Sequence, residues 1–209
     1  MPQSVTPPAD DTIAYTLHGN RYLNITTACT LRCAFCPKFN KVWEVQGYDL
    51  KLSDKAGPTV EEIVAAVGNP QDYHEIVFCG LGESTLRWPV MLEVARRLKD
   101  KGASIRLNTD GLANLVYQRD VTPEMAGLID QLSVSMNAHN EEVYNRHCRP
   151  KKAGAFDAML DFVRRARQYV PEVSVTAIDG LSGVDIEACE AMAQALGVTF
   201  RRRHLDVVG

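Results

Sequence analysis

The sequence predicts an α/β fold: a largely parallel sheet with right-handed crossovers, curved into a partial barrel or opened into a doubly wound sheet, behind a short N-terminal hairpin. Three observations predict it. Six short apolar runs are separated by stretches of helical period, which is the order that parallel strands with helical crossovers require. One further short run precedes the first of these across a turn, as in a hairpin. A length of 209 residues, 45% of them apolar and 23% charged, is the balance of a globular chain with a sizeable core.

In order, residues 1–11 are rich in Pro, Asp and Ser and read as a flexible tail, with residues 12–209 as a single domain. Ile13 to Leu17 and Tyr22 to Thr26 flank His18, Gly19 and Asn20 as an opening hairpin. Pro37 to Gly57 has no clear periodicity, and loops of that length often serve as lids. Thr59 and Glu62 form a capping box ahead of the stripe Val60, Ile63, Val64 and Val67. Glu75 to Cys79 reads as a strand. A helix starts near Pro89, carries Met91, Val94, Ala95 and Leu98 on one face, and stops at Gly102. Ser104 to Asn108 is the next strand. Thr122 and Pro123 then read as N-cap and first residue of a short helix. Gln131 to Met136 is a strand, followed by a helix with the stripe Phe156, Met159, Leu160, Val163 and Ala166. The strand Val173 to Ile178, a helix through Ile186, Cys189, Met192, Ala193 and Leu196 ended by Gly197, and the strand Val198 to Arg202 close the chain.

In either form of such a sheet, the strand carboxyl ends carry the site. Those ends are Cys29 to Cys36, Gly80 to Glu83, Asn108 to Gly111, Ser135 to Asn137 and Asp179 to Gly183.

Composition removes several classes of function. No window has the run of apolar residues that a membrane span needs, and the start MPQSVTPPADD lacks the pattern of an export signal, so a cytoplasmic location is expected. A net charge of -3 gives no broad attraction for nucleic acid. Six cysteines in a reducing compartment are expected as thiols. Three of them fall in the run CTLRCAFC, while Cys79, Cys148 and Cys189 are scattered.

Cys29, Cys33 and Cys36 stand at i, i+4 and i+7, the spacing of one helical face, so a buried apolar stripe is the plain alternative. Against it, the run follows a strand and is closed by Pro37, and an ordinary stripe uses Leu, Val or Ile. Three thiolates this close in sequence suit three corners of an iron-sulfur cube, because soft sulfur ligands suit iron. With no fourth Cys nearby, the fourth iron keeps an open position for a ligand.

CxxxCxxC with Phe35 directly before the third Cys resembles the signature of the radical SAM superfamily. That resemblance implies a partial (β/α)6 TIM-type barrel and a [4Fe-4S] cluster on Cys29, Cys33 and Cys36. It further implies S-adenosyl-L-methionine chelated to the fourth iron and cleaved to a 5'-deoxyadenosyl radical that abstracts hydrogen from substrate. A second segment, VFCGLGES, resembles the family's glycine-and-glutamate motif at the second strand end, which implies that Gly80, Gly82 and Glu83 meet the cofactor's amino group. The family's usual proline after Glu is Ser84 here, and the fifth strand VTAIDGLSG lacks the family's Gly and Glu pattern. Asn108 and Thr109, with Ser135 and Asn137, match places where the family sets polar side chains toward the carboxylate or ribose. Ordinary turn chemistry explains the same residues. His204 follows the last strand and reads as a surface histidine or a neighbour of the adenosyl group. YLNITTACTLRCAFCPK, FCGLGEST and YNRHCRP resemble the TatD-associated radical SAM proteins, a subgroup resemblance that carries no reaction with it.

Arg146, His147, Arg149, Lys151 and Lys152 surround Cys148 in what reads as a loop after the fourth strand. The plain reading is a solvated charged loop; the sharper one is an anion-binding loop with Cys148 as a catalytic thiol. Phe39, Trp43 and Tyr48 either close over the cofactor or anchor their loop. Cys79 and Cys189 read as packed residues. The competing class is a zinc or iron-sulfur binding module whose fourth ligand is Cys79, Cys148 or a His. Within the enzyme class, activation of a protein by forming a glycyl radical competes with reaction on a small molecule, and a 7-deazaguanine-type synthase shares the short length and the CxxxCxxC. The resemblance also implies a low-potential electron donor such as flavodoxin or ferredoxin.

Overall fold

Side chains alternate in chemistry along the central strands, and this alternation decides how the sheet is used. The computed structural model describes residues 12–205. The segment 1–11 expected as a tail lies outside the described residues. A hairpin of β1 (Ala14–Leu17) and β2 (Asn20–Leu23) opens the chain, with His18 and Gly19 both at positive φ in the turn. Five strands follow β2 in the same sheet: β5 (Ile76–Phe78), β6 (Ile105–Thr109), β7 (Gln131–Ser135), β8 (Glu172–Asp179) and β9 (Thr199–His204). The small hairpin of β3 (Glu44–Val45) and β4 (Tyr48–Asp49) stands apart from it.

The order β1-β2-β5-β6-β7-β8-β9 is sequential, and every pair after β1–β2 is parallel. A doubly wound sheet reverses its strand order at a switch point, and none occurs here. Crossovers of one hand in an unreversed order put the helices on one face and curve the sheet around the other. This is the partial (β/α)6 barrel, with the hairpin strand β1 on its first edge.

Register aligns the apolar residues into rows. Leu23, Phe78, Leu107, Leu132 and Val173 are Cα partners from strand to strand. The first four belong to the core, with Val173 packed against it, together with Ile63 and Val67 of α1 (Val60–Val67) and Met91, Val94 and Leu98 of α2 (Trp88–Lys99). Met159 and Val163 of α5 (Ala155–Ala166), and Cys189 and Ala193 of α6 (Ile186–Leu196), complete that layer. The capping box of Thr59 and Glu62 is formed, and α6 ends on Gly197 in the left-handed conformation.

Several expectations need correction. Thr122 to Met125 makes only a 3-10 turn, so Val121 rather than Thr122 takes the cap position. The run around Cys148 is not a loop: Glu141–Cys148 is helix α4, following the short α3 (Ala113–Tyr117). Only Val143, Tyr144 and Cys148 of α4 are buried, so its apolar stripe is too thin to stand out from its charge. Its ends do carry the signals of a helix: Asn140 caps Val143 N-H, Glu141 and Glu142 occupy the first turn, and Arg146 and His147 the last. Residues 37–57 are partly anchored, since Leu50 and Leu52 are buried and Asn24 Nδ2 donates to the Leu50 carbonyl at 3.0 Å. Among the described residues no helix is long and apolar enough to cross a membrane.

Candidate active site

Chain leaving β2 enters an irregular loop from residue 24 to 36, so the three cysteines do not form a helical stripe. Three neighbours hold this loop. From the β5 end, Glu83 N-H donates to the Ala28 carbonyl at 2.8 Å. From the β6 end, Asp110 accepts from the Thr30 hydroxyl. From α4, the carbonyls of Cys148 and His147 accept from Arg32 and Ala34 N-H at 3.0 and 2.8 Å, which satisfies groups that a helix terminus otherwise leaves open. Lys151 adds its Nζ to the Cys29 carbonyl at 2.7 Å.

The Gly80 to Glu83 segment explains its own composition. A Cβ on Gly82 would collide with the Thr26 carbonyl and lie 2.7 Å from that of Ala28, and one on Gly80 would collide with the Asn24 side chain. Both glycines therefore let β5 approach the backbone that leads into the cysteine loop. Glu83, buried, accepts through Oε1 from Thr85 N-H, the Thr85 hydroxyl and the Thr109 hydroxyl, and through Oε2 from Asp110 N-H at 2.8 Å. The carboxylate thus joins the ends of β5 and β6. Thr109 serves this same junction.

One cavity of about 370 Å³ gathers Cys29, Cys33, Phe35, Cys36, Gly80, Gly82, Glu83, Asn108, Ser135 and Asn137. Every residue that the sequence marks for metal or cofactor is on its wall. Asn108 and Asn137 each have a buried Oδ1 with no hydrogen-bond partner. Asn137 is held at a positive φ of 58°, and its Nδ2 donates to the Cys148 sulfur at 3.8 Å. Two acceptors without protein partners on one cavity can take donors from a ligand. A larger cavity of about 750 Å³ opens at the opposite ends of β7 and β8, away from the cysteines. The convergent polar groups and the thiols are in the smaller one, the features by which a binding site is recognised.

Burial pushes the Cys29 thiol up to about 12, with Asp110 and Glu83 acting in the same direction. The Cys33 thiol is raised by its hydrogen bond with Cys148 and then by burial, and the Cys36 thiol by burial. Asp110 itself is raised well above the usual carboxylate range by burial and by the charge of Glu83. The thiols are therefore neutral until a metal displaces their protons. Among the described residues no three His, Cys, Asp or Glu side chains converge on a single ion. A cubane accepts that arrangement, since each cysteine binds a different iron.

Cys148 is fully buried behind Cys33 and does not line the cavity, so it packs and hydrogen-bonds where a catalytic thiol was expected. The basic run disperses: Arg146 pairs with Glu142 at 2.7 Å, His147 meets the Ser182 carbonyl, and Lys151 holds the cysteine loop. His204 is a surface residue near Asp179. Of the loop aromatics, Tyr48 packs on Tyr15, while Phe39 is exposed beside Arg32 and Lys38; Pro37, Val45 and Leu50 supply that segment's share of the cavity wall. Cys79 is on the wall too, with its thiol bonded to Asn108, although the sequence reading packed it within its strand. Ser133, Thr176, Arg201 and Arg203 are polar lining residues that sequence reasoning missed, and Asp110 joins them from the segment Asn108 to Gly111. The available signal was period two, seen in Arg106-x-Asn108, Gln131-x-Ser133-x-Ser135 and Ser174-x-Thr176, whereas the run Arg201 to Arg203 carries none.

Comparison with known proteins bears on this geometry. A family model described as the Radical SAM superfamily matches residues 23–196. A probable dual-specificity RNA methyltransferase RlmN from Deinococcus deserti is 26% identical over 151 residues, which is 68% of this chain and 40% of that protein. The chain thus spans about two fifths of the length of this curated relative. Among solved structures, Streptococcus suis SuiB bound to S-adenosylmethionine superposes with a TM-score of 0.64 at 10% identity, over 88% of this chain and 38% of that one. The radical S-adenosylmethionine methyltransferase TsrM from Kitasatospora setae, with cobalamin and a [4Fe-4S] cluster bound, gives 0.60 at 15% identity, over 89% and 36%. At these identities the likeness is one of fold.

Proposed function

This chain belongs to the radical SAM superfamily, and from that premise we propose that Cys29, Cys33 and Cys36 hold a [4Fe-4S] cluster and that the adjoining cavity holds S-adenosylmethionine. Bound there, the pair supplies reductive cleavage to methionine and a 5'-deoxyadenosyl radical for hydrogen abstraction. The observation that carries the reading is one cavity that joins three thiols to two orphaned amide oxygens. SuiB and TsrM, each similar in fold, are described with S-adenosylmethionine and with a [4Fe-4S] cluster respectively, which supports the same pair here.

On this reading, the chain's residues divide the work. The Asn108 and Asn137 oxygens accept from the cofactor's ammonium or ribose hydroxyls, and Ser135 adds a donor and acceptor beside them. Glu83 positions the wall, and Oε2, with one hydrogen bond, keeps capacity to accept one more. Phe35, Leu50 and Val45 keep water from the reacting atoms. A low-potential flavodoxin or ferredoxin is the expected electron donor. The substrate is a small molecule or a protein, and the RNA methylation of the Deinococcus relative does not transfer to a chain that covers so little of it.

Anaerobic reconstitution with iron and sulfide, then reduction with S-adenosylmethionine, tests the proposal. Wild type is expected to form 5'-deoxyadenosine and Cys33→Ala none. A loaded wild-type protein that neither binds nor cleaves S-adenosylmethionine sinks it. The binding-module alternative draws on one observation, the presence of Cys79 on the same wall. Cys79→Ala separates the two: the enzyme keeps its cluster, whereas a four-cysteine module loses it.

A further inference from the structure

Away from the cysteines, the concave face of the sheet carries a second concentration of chemistry. Arg106 of β6 faces it with Gln131 beside it, and the next inward row is Asn108, Ser133, Ser174 and Thr199. Ser135, Thr176 and Arg201 form the row above. Arg201 lines both the cysteine cavity and the larger cavity that contains Arg106, so the two spaces meet at its side chain. Arg203, two residues on, lines the cysteine cavity.

These three guanidinium groups feel one another. Burial pulls Arg201 below its ordinary value, and the charges of Arg106 and then Arg203 act in the same direction, while Tyr22 and Cys79 oppose them. Apart from Arg203, those neighbours lie on β2, on β6 and just past the end of β5, so the arginines of the last strand reach across the open side of the half-barrel. Arg106 is engaged by Glu75 at 2.9 Å, with the Tyr22 hydroxyl at 3.5 Å. Among the described residues no carboxylate forms an ion pair with Arg201. Glu83 and Asp110, the acids on the cavity wall, are tied to Thr85, Thr109, Thr30 and Leu112. Arg201 is exposed and Arg203 half-buried, so water screens their repulsion, and guanidinium groups that share a cavity wall can bind carboxylate and phosphate oxygens in bidentate fashion.

We propose that Arg106, Arg201 and Arg203 form an anion subsite on the concave face, and that the substrate is a small molecule anchored there by a carboxylate or phosphate group. The word substrate rests on the enzyme reading above; the subsite is tested without turnover. An anchor at Arg201 leaves the rest of the molecule facing the cysteine cavity, where hydrogen abstraction would occur.

The test is calorimetric titration of the cluster-loaded protein, at low ionic strength, with inorganic phosphate and separately with malonate. Saturable one-to-one binding of one of them is expected, and which one binds separates a phosphoryl from a carboxylate anchor. Arg201→Gln with Arg203→Gln should weaken that binding about tenfold or more, the worth of a charged hydrogen bond. Arg201→Lys should recover part of it, and Arg149→Gln with Lys152→Gln, on the exposed basic run, should leave it unchanged. Unchanged circular dichroism and thermal unfolding in the double variant exclude misfolding as the cause. No saturable binding of either anion, equal binding by the double variant, or displacement of the anion by S-adenosylmethionine overturns the proposal. Displacement would assign the arginines to the cofactor's carboxylate, and a loss of 5'-deoxyadenosine formation with anion binding intact would strike the enzyme reading alone.

Discussion

The two faces of this sheet share a backbone and obey different rules. Toward the helices stand Leu23, Phe78, Leu107, Leu132 and Val134, all buried in one core. Toward the hollow stand Arg106, Asn108, Gln131, Ser133, Ser135 and Thr176, whose side chains meet cavities. A closed barrel fills its interior with packed branched side chains. This open one keeps a polar interior, and a polar interior with orphaned acceptors gains stability only when a ligand supplies the missing partners. The helix-facing side therefore determines whether the chain folds, and the hollow side determines what it binds.

The comparison breaks first on stability. Phe78→Ala removes a fully buried ring from the helix-facing row and should cost about 3–5 kcal/mol. Ser133→Ala, its counterpart on the hollow side, should stay within about 0.5 kcal/mol. Urea unfolding of both variants checks this, and equal losses would mean that the hollow is part of the core. Gly82→Ala tests the junction between the faces. Its new methyl group meets two backbone carbonyls of the cysteine loop, so a loss of about 1–3 kcal/mol is expected together with lower iron content after reconstitution. Full iron content in a destabilised Gly82→Ala protein would separate the loop's position from its ability to bind metal.

Legibility followed the same division. Helix-facing strands and the stripes of α2, α5 and α6 were readable because burial imposes period 2 or 3.6 on apolar residues. The cysteines and the Gly80 to Glu83 segment were readable because the residue types and their spacing are distinctive. Their purpose was less so. Gly82 reads as a place for close approach, but only the fold reveals that the first thing approached is the Thr26 to Ala28 backbone. Cys148 was misread because a helix with three buried residues resembles a charged loop. Arg201 and Arg203 escaped notice because an outermost strand with three consecutive arginines, Arg201 to Arg203, looks like solvent-facing surface until the sheet's curvature brings β9 toward β6.

Asp110 sharpens the contrast through pH. Its folded-state value is raised by burial and by Glu83, so above the ordinary carboxylate value of 3.8 the folded chain keeps a proton that the unfolded chain has lost. That contribution is complete below 3.8 and disappears as pH rises through the folded-state value. Asp110→Asn keeps an oxygen for Leu112 N-H and removes the titration, so apo-protein stability should depend less on pH and exceed wild type at the alkaline end. Parallel urea titrations between pH 5 and 8 read it out. Identical slopes for the two proteins would show that Asp110 is ionised in the fold.

The smallest expected effect is the most specific. Ser135 is half-buried at the end of β7 and lines the cysteine cavity, and no core contact depends on its hydroxyl. Ser135→Ala should leave unfolding within about 0.5 kcal/mol of wild type. If its hydroxyl serves the cofactor, S-adenosylmethionine affinity should fall by about threefold to tenfold, the net worth of one neutral hydrogen bond. Equilibrium binding to the oxidised, cluster-loaded protein, which cannot cleave the cofactor, measures it with no need for a substrate. A stability loss at unchanged affinity would reverse the assignment and make Ser135 part of the scaffold, which would leave Ser133 and, just past the strand, Asn137 to face the ligand there.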